Sequence, residues 1–168
     1  ELLTLEHIIY SPIPLENPGN DQEDTLWRIQ LFESLVPLWG NAKVVYAHTG
    51  MKFTFCNLEM EILYTPESLY KNLFSVEGFN NSSIVSRLRD EKGSVLFTGD
   101  IAALGANLTV RLYGDSLASD MVQMSHHGVE SCPLVFYEKD NCRVSCYFLY
   151  SNSKCSNERR VGKTQDGG

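Results

Sequence analysis

The chain has 168 residues, 43% of them apolar, which suits one globular domain with a real core and is short for two. A formal net charge of −7 with no basic stripe gives no charge support for a tight, nonspecific nucleic-acid binder and leaves a nucleic-acid partner open. No apolar run approaches the length of a membrane-spanning helix, and no basic-then-apolar leader follows Glu1.

Leu5 to Tyr10 is predicted as a strand that Pro12 and Pro14 stop. Asn17 to Glu23 is polar, with Pro and Gly, and reads as an exposed loop. Asp24 is placed to cap a helix in which Leu26, Ile29, Phe32, Leu35 and Val36 form one apolar stripe; Pro37 and Gly40 end it. Lys43 to Ala47 is a further strand. Met51 to Cys56 and Leu58 to Tyr64 form a hairpin around Asn57. In its second arm Leu58, Met60, Ile62 and Tyr64 alternate with other residues, the pattern of a half-buried strand. Thr65 to Asn81 reads as a long connection with a helical turn at Glu67 to Leu73, and long connections in small domains tend to line sites.

Ser83 to Arg89 and Ser94 to Phe97 flank Asp90-Glu91-Lys92-Gly93, which has the turn chemistry of a second hairpin. Ile101 to Leu112 is predicted helical, against the weak helix formers Gly105 and Thr109, and Gly114-Asp115 closes it. A strand from Met121 to Ser125, a helix around Pro133 to Tyr137 and a strand from Arg143 to Tyr150 follow. Residues 151–168 are polar and Gly-rich and read as a flexible tail, leaving 1–150 as the domain. Strands that come both in hairpins and in alternation with helices favour an α/β fold with a mixed sheet and flanking helices.

The chemistry concentrates at two strand ends. Val95-Leu96-Phe97 empties into Thr98-Gly99-Asp100, where Gly99 permits a sharp exit and one carboxylate reaches the rim of the sheet. Met121 to Ser125 empties into His126-His127-Gly128. One hard oxygen donor and one or two imidazoles, each at a strand end, are part of a metal-ligand set. The remaining candidates have ordinary readings. His7 is a structural histidine and His48 a loop histidine; Glu59 and Glu61 are the solvent face of a hairpin arm. Arg87, Arg89, Arg159 and Arg160 read as a solvated face and a tail. The five cysteines, Cys56, Cys132, Cys142, Cys146 and Cys155, are odd in number and argue against a disulfide framework. Cys142 and Cys146 read as ordinary thiols rather than half a zinc site, and the compartment stays open. Gly114-Asp115-Ser116-Leu117 spells the motif of the GDSL esterases, but it follows a predicted helix in mid-chain, and Asp120 and His126 are six apart where that family has three.

Taken in order, Asn80-Asn81-Ser82-Ser83-Ile84-Val85, Val95 to Asp100, and Met121 to Gly128 resemble the C-terminal half of a metallo-β-lactamase-fold hydrolase. The branch it resembles is the one related to the hydrolase domain of the competence DNA-uptake protein ComEC, and the resemblance covers roughly Lys43 to Pro133. It implies a four-layer αββα sandwich with two zinc ions at one edge of its sheets. It also implies hydrolysis of a phosphodiester or related ester by zinc-held hydroxide. Asp100 would bridge the metals, and one of His126 and His127 would be the last ligand of the second ion. His126, directly at the strand's end, is preferred as the ligand, with His127 touching substrate; the reverse assignment stays open. Asn80 or Asn81 would hydrogen-bond a substrate oxygen or a metal-bound water.

Three departures accompany the resemblance. The family's His-x-His-x-Asp-His motif is absent, so the sequence reads as a fold entered halfway. Asn80 and Asn81 stand where many members carry a histidine, and no late histidine motif is evident. Two donors hold zinc weakly, so further ligands would come from another segment or chain. The same departures leave a second reading, a non-catalytic binding or scaffold domain that keeps the fold without a complete metal site. The partners expected are a small-molecule or phosphodiester substrate, and a second copy or the missing N-terminal half against an exposed sheet face.

Overall fold

Alternation of apolar and polar residues along Lys52 to Met60 builds one edge of a six-stranded sheet, and the later strands are laid beside it in sequence order, while the two strands that precede it form a separate sheet. The structure is a computed structural model and describes residues 6–11, 22–66, 79–128, 132–140 and 144–146. Before the sheet come β1 (His7–Tyr10) and β2 (Lys43–Tyr46), a parallel pair with His7 opposite Lys43. Parallel neighbours need a crossover, and α1 (Gln22–Leu35) supplies it. Phe32 of the predicted stripe stacks on Tyr10, with ring centroids 3.6 Å apart and planes within 8°. Ile29, Leu35 and Val36 are half-buried beside it, whereas Leu26 remains exposed. The described helix already includes Gln22 and Glu23, so Asp24 lies within it rather than at its cap. Pro37 ends it as expected: Val36–Trp39 tightens into a 3-10 turn and Gly40, at φ +66°, redirects the chain.

The large sheet contains β3 (Lys52–Phe55), β4 (Leu58–Tyr64), β5 (Val85–Arg89), β6 (Ser94–Phe97), β7 (Met121–Gln123) and β8 (Val144–Cys146), adjacent in that order. It is mixed. The pairs from β3 to β6 are antiparallel, and β6, β7 and β8 run parallel. The Asp90 turn forms as its chemistry dictates, with the carboxylate accepting the Lys92 and Gly93 N–H groups at 2.7 and 3.0 Å. The two parallel crossovers are α2 (Ala103–Tyr113) and α3 (Leu134–Asp140), which pack on each other. The protein is therefore an α/β fold with a mixed sheet and flanking helices. Among the described residues, no helix is long and apolar enough to cross a membrane.

The core lies between the helices and one sheet face, where Leu63, Leu96 and Val122 meet Ala106 and Phe136. Gly105 sits in α2 for a packing reason. A Cβ there would come within 3.0 Å of Ile101 and the Tyr64 ring. Side chains alternate across a strand, so Val95, Phe97 and Met121 face away from that core. Phe55, Phe97 and Met121 are 43%, 38% and 36% exposed. Cys132 packs against the core, and burial pushes its thiol up to about 11, an effect that a hydrogen bond from Tyr137 only partly offsets. Cys56 is exposed in the β3–β4 turn. Cys142, Cys155, the predicted turn at Glu67 to Leu73 and the tail from 151 to 168 lie outside the described residues.

Arg87 corrects one expectation. Lys52, Glu61 and Arg87 stand opposite one another on three adjacent strands. Arg87 Nη2 donates to Glu61 Oε2 at 2.8 Å, and Nη1 donates to the Ser116 carbonyl at 2.6 Å. The 3-10 turn Gly114–Leu117 thus covers this guanidinium, which is 12% exposed rather than part of a solvated face. Arg89 pairs with Glu59 in the same way. The two acidic residues are therefore cross-strand partners of arginines. Burial raises the Glu61 carboxyl, but the Arg87 hydrogen bond and the charges of Lys52, Arg87 and Arg89 outweigh it and leave the group below its ordinary value. A carboxyl depressed on folding contributes stability above its unfolded pKa and loses it as pH falls through the folded one. Glu61→Gln is expected to lower unfolding stability by about 1–3 kcal/mol at neutral pH. The gap to the wild type should close below about pH 4, read from urea unfolding across pH.

Candidate functional site

Two neighbouring parallel strands end side by side, and their exits carry the polar residues singled out in the sequence. β6 and β7 are in register at Val95–Met121 and Leu96–Val122. Beyond them, Thr98 Oγ1 donates to the Gln123 carbonyl at 2.8 Å, and the His126 N–H donates to the Gly99 carbonyl at 3.1 Å. Ser125 fastens the exits to the helical layer. Its Oγ donates to the Ile101 carbonyl at 2.6 Å, and its N–H donates to the Tyr137 hydroxyl at 3.1 Å. The strand therefore stops at Gln123 rather than running to Ser125, because the chain leaves the ladder to wind back toward β6.

That winding requires left-handed backbone. Gly99 has φ +55°, and a Cβ there would meet Ser83 at 3.0 Å, so the position needs glycine twice over. His126 and His127 take φ +48° and +58° without that freedom. Consecutive bulky residues in this region carry strain that the surrounding bonds must hold, and such strain concentrates at functional sites. Ser83 completes the cradle, its Oγ accepting the Asp100 N–H at 3.0 Å.

The side chains then separate. His127 Nε2 lies 3.7 Å from Asp100 Oδ1, and both side chains are about two-fifths open to solvent, at 44% and 42% exposure. His127, rather than the His126 preferred on sequence, is the ring that faces the carboxylate. His126 is half-buried and turns its Nδ1 to Asn80 Nδ2 at 3.2 Å. The two rings are 6.0 Å apart at 61°. A carboxylate and an imidazole this close, at an accessible rim, are two donors able to share one cation. Two donors are not a zinc site, which takes three or four protein groups. Among the described residues no cluster of three or more His, Cys, Asp and Glu could hold a metal. The pair fits as part of such a site and not as the whole.

Asn80 and Asn81, adjacent and alike, have different surroundings. Asn81 is 4% exposed, and its Oδ1 accepts the Gly105 N–H at 3.0 Å. This satisfies one of the amides that the first turn of α2 leaves open, where Ala102 offers no side-chain cap. The Asn81 backbone carbonyl also accepts the Tyr64 hydroxyl at 2.6 Å. Its carbonyl oxygen thus serves the core rather than a substrate; Asn80 stands at the rim beside His126. Sequence spacing gave no sign of Ser83, Ser125 or Tyr137, whose roles come from long-range contacts; only the polar run through Ser83 pointed to that neighbourhood.

The decoys resolve on geometry. His7 begins β1, and His48 belongs to the turn after β2, where its N–H donates to Met51 Sδ at 3.1 Å. Ser116 sits in a 3-10 turn with its carbonyl on Arg87, and Asp115 pairs with Lys139 at 2.6 Å. Compared with known proteins, the chain matches no family model and no curated protein.

The contrast between the two asparagines is measurable. Asn81→Ala is expected to cost about 1–2 kcal/mol of stability through the lost helix cap. Asn80→Ala should leave the unfolding midpoint nearly unchanged; equal losses at both positions would contradict this division.

Proposed function

We propose that the chain is part of a metal-dependent hydrolase of the metallo-β-lactamase type, acting on a phosphodiester or related ester. The observation that carries this reading is the 3.7 Å approach of His127 Nε2 to Asp100 Oδ1 at the tips of adjacent parallel strands. Ligand sites in α/β sheets gather at the carboxyl ends of strands, which is where these two groups stand. The sheet supports it as well. Helices cover one face, while Phe55, Phe97 and Met121 leave the other apolar and partly open. A sheet destined for the interior of an αββα sandwich has this two-sided character.

In this reading Asp100 and His127 are zinc ligands, and the rest of the ligand set comes from another segment or chain. Bound zinc supplies a water acidic enough to attack near neutral pH and polarises the ester oxygen. The chain's own contribution is positional. Gly99, Ser83 and Ser125 hold the two donors at fixed separation, and Asn80 and His126 stand beside them at the rim. The partner expected on the open sheet face is a second copy or the segment that completes the sandwich. The alternative reading is a binding or scaffold domain that keeps the fold without a complete metal site.

Zinc titration separates them. The hydrolase reading expects weak one-site binding by this chain, reduced at least ~10-fold by Asp100→Asn and by His127→Ala with the unfolding midpoint preserved. Binding that survives both substitutions, or no binding at all, leaves the scaffold reading.

A further inference from the structure

The Asn80–His126 contact bears on the tautomer of a ring that the donor pair does not use. Asn80 lies in the 3-10 turn Phe79–Ser82, and its backbone carbonyl accepts the Ser83 N–H at 3.2 Å. Its side-chain nitrogen, Nδ2, is the atom 3.2 Å from His126 Nδ1. An amide nitrogen only donates, so with Nδ2 turned to the ring the matching arrangement has Nδ1 as acceptor and the one proton of a neutral ring on Nε2. The main chain of His126 is held at the same time by its N–H bond to the Gly99 carbonyl.

A histidine that ligates a metal through Nε2 has the opposite arrangement. Its Nδ1–H donates to a carboxylate or carbonyl, which leaves the Nε2 lone pair free. His126, with Nδ1 engaged as an acceptor and Nε2 protonated, has no lone pair to offer a cation. It presents an N–H. Beside a site that handles an ester, such a donor is complementary to oxygen that carries or develops negative charge.

We propose that Asn80 is a positioning residue that fixes His126 as the Nε2–H tautomer, making His126 a hydrogen-bond donor to an anionic substrate oxygen rather than a metal ligand. The identity of the acceptor rests on the hydrolase reading; the tautomer rests on the Asn80 contact alone. The two adjacent histidines would then divide the work, His127 beside Asp100 toward the cation and His126 toward the substrate.

The test is nitrogen-15 NMR of the full chain with labelled histidine, metal-free, at a pH where the rings are neutral. Long-range proton–nitrogen correlations distinguish a protonated ring nitrogen from a bare one, and His126→Gln assigns the signals. The wild type is expected to show His126 as Nε2–H. Asn80→Asp should reverse it to Nδ1–H, because a carboxylate only accepts. Asn80→Ala should relax it toward the mixture of a solvent-exposed imidazole. Nδ1–H in the wild type, or a tautomer indifferent to both substitutions, overturns the proposal. Zinc added to the same samples keeps the two readings apart. Loss of the His126 Nε2 proton on zinc binding overturns this assignment and keeps the hydrolase. An unmoved His127 alongside the expected His126 tautomers removes the hydrolase and leaves the Asn80 assignment standing.

Discussion

The hydrogen bond from the His126 N–H to the Gly99 carbonyl, 3.1 Å long, is the constraint on which the site depends. It continues the parallel pairing of β6 and β7 past the last regular rung at Leu96–Val122. To make it, Gly99 and His126 both adopt left-handed backbone, and the two exits curl toward each other instead of diverging. Thr98 and Ser125 brace the curl with bonds to Gln123 and Ile101, and Tyr137 anchors it to α3. The 3.7 Å separation of Asp100 and His127 is a result of that bracing. A pair held by local loop contacts alone would lose more conformational entropy on closing around a ligand.

The sheet around the site divides into ends with different electrostatics. Near the site stand polar groups: an open carboxylate, an open imidazole, and an imidazole and an amide beside them. Across β3, β4 and β5, Glu61 is paired with both Lys52 and Arg87, whose guanidinium lies under the Gly114–Leu117 turn, and Glu59 is paired with Arg89. The Glu59 and Glu61 carboxylates are engaged by opposing cations, so they are poor candidates for acid–base work despite their close spacing. The third region, the open face with Phe55, Phe97 and Met121, is apolar and has a different use, as a surface against which another layer can pack.

Much of this was legible in the sequence. Alternation located β4, proline and glycine located the end of α1, and the Asp90 turn announced its hairpin, because each is a local property. An apolar run emptying into Thr98-Gly99-Asp100, and another into His126-His127-Gly128, likewise marked the strand tips. What could not be read was set by contacts between distant segments. Which histidine faces Asp100 depends on the handedness of the backbone after Ser125, which the letters His-His do not encode. Asn80 and Asn81 are the same residue, and only the position of α2 decides that one caps a helix while the other meets His126. Gly105 read as a weakness in a helix because the Tyr64 ring pressed against it comes from β4. Arg87 read as solvated because the turn that covers it arrives from beyond α2.

That Asp100 and His127 hold the same cation is tested most directly by X-ray absorption at the zinc edge of the zinc-loaded chain. The expected spectrum has nitrogen and oxygen neighbours at about 2.0–2.2 Å, with an imidazole contribution that disappears in His127→Ala. Sulfur neighbours at about 2.3 Å, or an imidazole contribution unaffected by that substitution, would place the metal elsewhere and contradict the shared site.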